Sequence, residues 1–251
     1  MKDAAYWDAI VAGFLRHGHR GIWRDFSDQL NTRLVTNYLA NRPLHRLLKT
    51  DLFDEGLISG VLAPLGAVAK EIHGIDLSPL VVHEAQKNYP LAHFQAASVT
   101  ALPFPSQHFD VVVCLSTLDQ LESFSEIEQA LAEIHRVLEP NGRLLITFDN
   151  LANPLLALRN RLGWFPTPYF MGQSITPSQL EPLLRRTGFK VEHQFAYMHA
   201  PRPLAIRICR LFEDGRPRQP IFNLLHRFEV LNHLPTRNWT ANYCGALARR
   251  S

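Results

Sequence analysis

Phe109-Asp110-Val111-Val112-Val113-Cys114-Leu115 restricts this chain to few architectures. Apart from Asp110 the run is apolar throughout, so both faces of the strand it forms need cover. Such a strand belongs in the middle of a parallel sheet, with helices above and below it. The downstream sequence agrees. Ser125 to Leu138 places Ile127, Ala130, Leu131, Ile134 and Val137 on one helical face, Pro140-Asn141-Gly142 turns the chain, and Arg143 to Phe148 supplies another strand.

The same alternation runs through most of the sequence. Arg46 to Leu52 and Glu71 to Asp76 read as strands, joined by a helical stretch from Gly56 to Lys70 that Pro64 kinks or splits. Ser78-Pro79 opens the next helix, with serine as N-cap and proline in the first turn. Ala92 to Ala96 is a third strand. Pro177 to Thr187 reads as a helix stopped by Gly188, Phe189 to Tyr197 as a sixth strand, and Asn238 to Ala248 as a last one. Ahead of this block, Trp7, Ile10, Val11, Phe14 and Leu15 recur at helical spacing, and a second helix runs from near Asp25 to Leu39. The expected fold is α/β: a doubly wound, mostly parallel seven-stranded sheet with helices on both faces and an N-terminal helical cap. The expected organisation is a cap over residues 1–45 and one domain over 46–251, with insertions or lids near 150–175 and 200–235.

Composition narrows the function classes. With 46% hydrophobic and 20% charged residues among 251, the chain can fill one core. No run of about 18 apolar residues suggests a membrane span, and no secretory signal opens the chain, so a cytoplasmic enzyme with no membrane partner is expected. Cys114, Cys209 and Cys244 are scattered, and His17-Gly18-His19 has no carboxylate partner in sequence, so no metal is expected. The net charge is +3, and the C-terminal arginines alternate with prolines and apolar residues without forming a dense block, so nucleic acid is not an expected partner.

In an open α/β sheet, ligands bind beyond the carboxyl ends of the strands. Here those ends fall at residues 51–56, 76–78, 97–99, 115–120 and 149–150. Asp76 closes the second strand, where a carboxylate accepts hydrogen bonds from both hydroxyls of a ribose; nicotinamide and adenosylmethionine cofactors both use this geometry.

Several blocks then resemble one family. Ile75-Asp76-Leu77-Ser78 looks like the second motif of class I S-adenosylmethionine-dependent methyltransferases. Ala101-Leu102-Pro103-Phe104-Pro105 followed by Phe109 to Val113 resembles their passage into strand four. Glu133 to Leu145 is similar to their helix-turn-strand block. Order and spacing agree over residues 46–150, and more loosely over 176–248. The resemblance is to the bacterial, methyltransferase type 11-like branch, and it implies a Rossmann-like methyltransferase fold binding S-adenosylmethionine. The first motif departs from the family. Where a D/E-x-G-x-G-x-G run is usual, this chain has Lys49-Thr50-Asp51-Leu52-Phe53-Asp54-Glu55-Gly56. Either acidic side chains meet the cationic cofactor tail, with Lys49 on its carboxylate, or the loop is closed and no cofactor enters.

The resemblance implies a cofactor site of Lys49, Asp51, Phe53, Glu55, Gly56, Asp76, Leu77, Ser98, Val99, Leu115 and Ser116. It also implies acceptor contacts from Trp23, Asp28 and Asn31 of the cap, from Asp149 and Asn150 at a strand end, and from Tyr169 and Phe170 of a lid. Asp119 and His199 are the candidate catalytic groups. The implied reaction is methyl transfer to a heteroatom of a small molecule. A non-methylating adenosylmethionine-binding enzyme and a non-catalytic partner subunit are the alternatives on the same fold.

Overall fold

A computed structural model describes residues 2–17, 21–39, 43–57, 60–162, 170–212 and 218–251. In chain order the elements are α1 (Ala4–His17), α2 (Ile22–Leu39), β1 (Leu44–Lys49), α3 (Phe53–Leu57), α4 (Leu62–Leu65), β2 (Ala69–Asp76), α5 (Pro79–Asn88), β3 (His93–Ala96), β4 (Phe109–Leu115), α6 (Phe124–Val137), β5 (Leu138–Asp149), α7 (Pro154–Leu162), α8 (Pro177–Arg186), β6 (Phe189–Tyr197), α9 (Arg202–Arg210), α10 (Gln219–Arg227), α11 (Arg237–Thr240) and β7 (Tyr243–Arg250). The strands form a seven-stranded sheet in the order β3-β2-β1-β4-β5-β7-β6. The first five run parallel; β7 is antiparallel to both β5 and β6.

Side chains alternate across the sheet as a pleat requires. Val112 and Cys114 of β4, Leu144, Ile146 and Phe148 of β5, and Ala246 and Ala248 of β7 face one way. There they meet Ile127, Leu131 and Ile134 of α6 and Leu180, Leu183 and Leu184 of α8. Leu47, Val111, Val113, Leu145 and Leu247 face the other way, onto Val11, Val35, Leu39, Leu62, Leu65, Val81 and Ala85 from α1, α2, α4 and α5. Fully burying one such side chain is worth about 1.5–3 kcal/mol, so both sides of β4 are fixed by their helices. A third cluster joins Ile22, Phe26 and Leu30 of α2 to Ala205, Cys209, Ile221 and Leu225 of α9 and α10.

Local signals explain the helix starts. The Ser78 hydroxyl accepts from the Val81 N–H at 3.1 Å, and Pro79 occupies the first turn of α5. Asp8 of α1 accepts from the Leu80 N–H at 3.2 Å and from the Ser78 hydroxyl, which docks the N-terminal helix on α5. Ser123 and Glu126 form a reciprocal capping box at α6.

The structure corrects several boundaries. The helix expected over 56–70 is two short ones, α3 and α4, with a chain reversal at Gly60. β5 begins at Leu138 rather than Arg143: Phe109 pairs with Leu138 and Val111 with Arg143, so the Pro140-Asn141-Gly142 turn is an excursion inside a paired strand, with Asn141 at a φ of 65°. Residues Arg237–Thr240 are helical, and the last strand starts only at Tyr243. Among the described residues no helix is long and apolar enough to cross a membrane, and no group of three or more His, Cys, Asp or Glu is placed to hold a metal ion.

Candidate active site

β1 and β4 lie at the centre of the sheet, and β2 and β3 flank β1 on one side. The loops beyond the carboxyl ends of these strands surround a cleft with about 1410 Å³ of empty space, open mouth included. Its floor and walls carry Lys49, Thr50 and Asp51 after β1, Asp76 and Leu77 after β2, Ala97, Ser98 and Val99 after β3, and Leu115, Ser116 and Thr117 at the end of β4. Trp7 and Val11 of α1 and Trp23, Arg24, Ser27, Asp28 and Asn31 of α2 form a roof. Tyr197, Arg202 and Tyr243 close the far end.

The glycine-poor loop is held by ions. Lys49 and Glu55 are both buried, with Lys49 Nζ 2.9 Å from the Glu55 carboxylate. Lys49 also donates to the Asp51 carbonyl and lies 3.5 Å from its carboxylate. Burial alone would lower the Lys49 pKa; the charges of Asp51 and Glu55 overcome it and hold the ammonium above its ordinary value. The other Glu55 oxygen accepts from the Val61 N–H at 2.9 Å. This folds the chain back at Gly60, which has a φ of 54° and where a Cβ would collide with the Glu55 carboxylate. The loop therefore has a fixed path without the usual glycines, and the ammonium of Lys49 is committed to its own chain.

Asp51 and Asp76 meet across that path. Asp51 accepts from the Phe53 N–H at 3.1 Å and from the Thr117 hydroxyl at 3.3 Å. Asp76 accepts from the Leu52 N–H at 2.9 Å and the Ser78 N–H at 2.8 Å, so its carboxylate is oriented by backbone on both sides. Burial first, and the nearby Asp51 charge second, push the Asp76 carboxyl up to about 7. A cation entering between the two carboxylates relieves that repulsion. Arg24 pairs with Asp54 and lies 5.8 Å from the Phe53 ring centre, which ties the roof helix to the loop. At the end of β4, Ser116 has a φ of 50°, and its N–H donates to the Thr147 hydroxyl at 3.0 Å and carbonyl at 3.2 Å. A non-glycine residue in that region is strained and marks a position fixed by its surroundings.

The far end is aromatic. Tyr197 and Tyr243 stack with ring centres 5.3 Å apart, the Tyr197 hydroxyl donates to Asn31 at 3.1 Å, and the Arg202 guanidinium lies 5.9 Å from the Tyr243 ring centre. Behind this wall, Asp119 and Asp149 are buried side by side, with Asp119 accepting the Asp149 N–H at 3.1 Å. Arg159 and Arg202 approach Asp149 at 3.5 and 3.6 Å. Burial and the Asp149 charge raise the Asp119 carboxyl well above its ordinary value.

A cleft at this sheet edge, with a carboxylate at the tip of β2, agrees with the sequence relationships. The methyltransferase domain family matches residues 53–146, beginning inside the unusual loop. The O-methyltransferase cnsE of Penicillium expansum is 27% identical over 248 residues, spanning 90% of this chain and 83% of that one. Residues 53–146 thus carry a methyltransferase domain, on the fold of S-adenosylmethionine-dependent methyltransferases. An uncharacterized methyltransferase-like protein of Schizosaccharomyces pombe is 31% identical over 130 residues, or 46% of this chain; the match spans about half the length of that relative, 49%. Among solved structures, the N-methyltransferase NodS of Bradyrhizobium japonicum, complexed with S-adenosyl-L-homocysteine, shares the fold with a TM-score of 0.57 and 15% identity, covering 96% of this chain and 98% of its own. The cyclase SpnF shares it with a TM-score of 0.60 and 21% identity, covering 98% and 94%.

The cleft brings together Lys49, Asp51, Phe53, Asp76, Leu77, Ser98, Val99, Leu115 and Ser116, together with Trp23, Asp28 and Asn31. Other expected site residues lie elsewhere. Glu55 and Gly56 are buried in α3 beneath the loop, Glu55 on Lys49 and Gly56 against the Val81 carbonyl of α5. Asp119 faces β5, not the cleft. His199 is also buried: its Nδ1 lies 2.8 Å from the Thr240 hydroxyl, and burial lowers its pKa to about 4, so it is a neutral structural imidazole at neutral pH. Asp149 is enclosed by its arginines. Asn150 donates to the carbonyls of Asn238 and Ala241 at 2.7 and 3.0 Å and accepts from the Ala152 N–H at 3.0 Å, so it fastens loops together. Phe170 lies outside the cleft lining, its N–H donating to the Tyr6 hydroxyl at 2.7 Å; Tyr169 is outside the described residues. Trp7, Val11, Tyr197, Arg202 and Tyr243 were not anticipated. One signal was available for two of them: a tyrosine ends β6 and another begins β7, and antiparallel pairing sets them opposite each other.

Proposed function

We propose that this methyltransferase transfers the methyl group of S-adenosylmethionine to a heteroatom of a small-molecule acceptor. The observation that carries the reading is the roof: α1 and α2 cover the strand-end cleft with Trp7, Val11, Trp23 and Arg24, leaving a roofed cleft in place of a flat surface. In this reading Asp76 receives the ribose hydroxyls, Leu77 and Val99 flank the adenine, and Ser98 offers its polar edge a hydroxyl. The acidic pair Asp51 and Asp76 favours the cationic sulfonium and ammonium, in the place where glycine amides would normally approach the tail. The acceptor lies towards Trp23, Asn31, Tyr197 and Tyr243.

The acceptor lone pair forms the new bond to the methyl carbon while the carbon–sulfur bond breaks, its electron pair staying on sulfur to give S-adenosylhomocysteine. The protein's contribution is to hold the two in line and exclude water. Neither Asp119 nor His199 reaches the cleft, so no general base is assigned. The test is calorimetric titration of the full chain with S-adenosylhomocysteine, followed by incubation of methyl-labelled donor with candidate acceptors. Heat that is lost in Asp76→Ala, and label moving to the acceptor, are the expected results. Binding with the label retained on the donor favours a non-methylating reaction; no binding at all removes the proposal.

A further inference from the structure

The helices behind the roof carry a surface that the cleft chemistry does not use. α10 and the turn that follows it present Leu224, Arg227, Val230, Leu234 and Arg237 at intervals of three or four residues, and all are exposed. Val230 is 62% exposed, and Trp239, just beyond this ridge, 65%. The inner side of the same segment, with Ile221 and Leu225, fills the cluster on α2. α9 repeats the pattern: Ala205 and Cys209 are buried, while Leu204 (56% exposed), Arg207 and Leu211 (65% exposed) lie on the outward side, with Arg210 beside them.

The charge on these elements is mostly positive. From Arg202 to Arg250 the sequence has nine arginines against three acidic residues: Glu213 and Asp214, in the link between α9 and α10 and outside the described residues, and Glu229. Glu229 is turned inward to accept the Met198 and His199 N–H groups at 3.2 and 2.8 Å. On α2, Asp25 pairs with Arg218 at 3.2 Å. Arginines interleaved with exposed leucine, valine and tryptophan are the composition of a segment lying in a headgroup layer, where guanidinium groups meet lipid phosphates and the apolar side chains enter the acyl boundary. Nucleic acid would answer the charge but leave the apolar ridge uncovered. A second copy of this face would bring arginines against arginines.

We propose that the outer face of α9, α10 and the segment to Trp239 docks the protein peripherally on an anionic lipid surface. α2 stands between this face and the cleft, with its buried side on α9 and α10 and Trp23, Ser27, Asp28 and Asn31 on the cleft. Docking would therefore hold the acceptor end of the cleft close to the lipid.

The experiment is co-sedimentation of the full chain with phosphatidylcholine vesicles, and with vesicles in which phosphatidylglycerol replaces part of the phosphatidylcholine. Binding to the anionic vesicles alone, weakened by added salt, with a blue-shifted tryptophan emission that disappears in Trp239→Phe, is expected. Each arginine near such a surface is worth about fivefold in partitioning, so Arg227→Gln/Arg237→Gln lowers binding about 25-fold. Leu234→Ser/Trp239→Ser lowers it as well, while leaving the adenosylhomocysteine titration unchanged. No binding to anionic vesicles at low salt overturns the proposal. So does undiminished binding by the Leu234→Ser/Trp239→Ser variant, which would mark the face as a general polyanion surface. Neither outcome bears on the methyltransferase reading, which the titration tests separately.

Discussion

Replacing one member of the Lys49–Glu55 pair should be far more damaging than replacing both. The ions are 2.9 Å apart and almost fully enclosed. Removing one partner leaves a buried charge without its counter-ion, which costs about 3–5 kcal/mol. In Lys49→Met the stranded group is the Glu55 carboxylate; in Glu55→Gln it is the Lys49 ammonium, left with Asp51 alone. At about 2–4 °C per kcal/mol for a chain of this size, each single variant should melt about 6–20 °C lower. Lys49→Met/Glu55→Gln leaves no ion at either position of this pair, and glutamine can keep the oxygen that accepts the Val61 N–H. It should return to within about 1 kcal/mol of the parent, since apolar or neutral replacement of a whole buried pair is often nearly free. Denaturant unfolding of the four proteins, combined as a double-mutant cycle, measures the coupling. Single variants that each lose less than about 1 kcal/mol, or a double variant whose loss equals the sum of the singles, would refute the idea that this pair takes the place of the glycine turn.

Asp76→Ala should weaken adenosylhomocysteine binding by about 1.5–3 kcal/mol, one charged hydrogen-bonding group, as read by calorimetry. Because the empty-cleft Asp76 carboxyl titrates near 7, binding the cationic S-adenosylmethionine should release a proton below that pH. Affinity should therefore rise about tenfold per pH unit up to pH 7 and level off above it, and the slope should vanish in Asp76→Asn. The raised Asp119 carboxyl gives stability that is full at acid pH and lost as pH rises, so Asp119→Asn should flatten the pH dependence of the denaturation midpoint and be no less stable than the parent at pH 8. Asp8→Ala removes the acceptor for the Leu80 N–H and the Ser78 hydroxyl and should cost about 0.5–2 kcal/mol in chemical denaturation.

The central sheet was legible in the sequence because its strands carry their own evidence. Phe109 to Leu115 and Phe189 to Tyr197 are observed with the expected bounds, the first from a continuous apolar run and the second from its flanking Gly188 and Tyr197. Elements set by long-range contacts were less legible. Residues 237–240 are helical, and Asn150 and Asn153 bind carbonyls at Asn238, Thr240 and Ala241, a fastening between segments nearly ninety residues apart. The same holds in the cleft. Asp76, Leu77, Ser98 and Ser116 sit at strand ends, which topology alone assigns to a ligand site. Trp7, Arg24 and Arg202 reach it only because α1, α2 and α9 pack as they do. Asp149 also ends a strand, yet it is covered: Gly172 N–H donates to the Asp119 carbonyl at 2.8 Å, at a point where a Cβ would collide with the Leu121 carbonyl, and the chain then runs over the end of β5 to Ile175.

A structure determined with S-adenosylhomocysteine bears most directly on the cofactor assignment. The ribose hydroxyls should lie within hydrogen-bond distance of the Asp76 carboxylate, with the amino-acid tail beside Asp51 and the Lys49–Glu55 pair intact beneath it. A nucleoside lodged elsewhere, or a cleft filled by Trp7 and Trp23 in the presence of excess ligand, would contradict it.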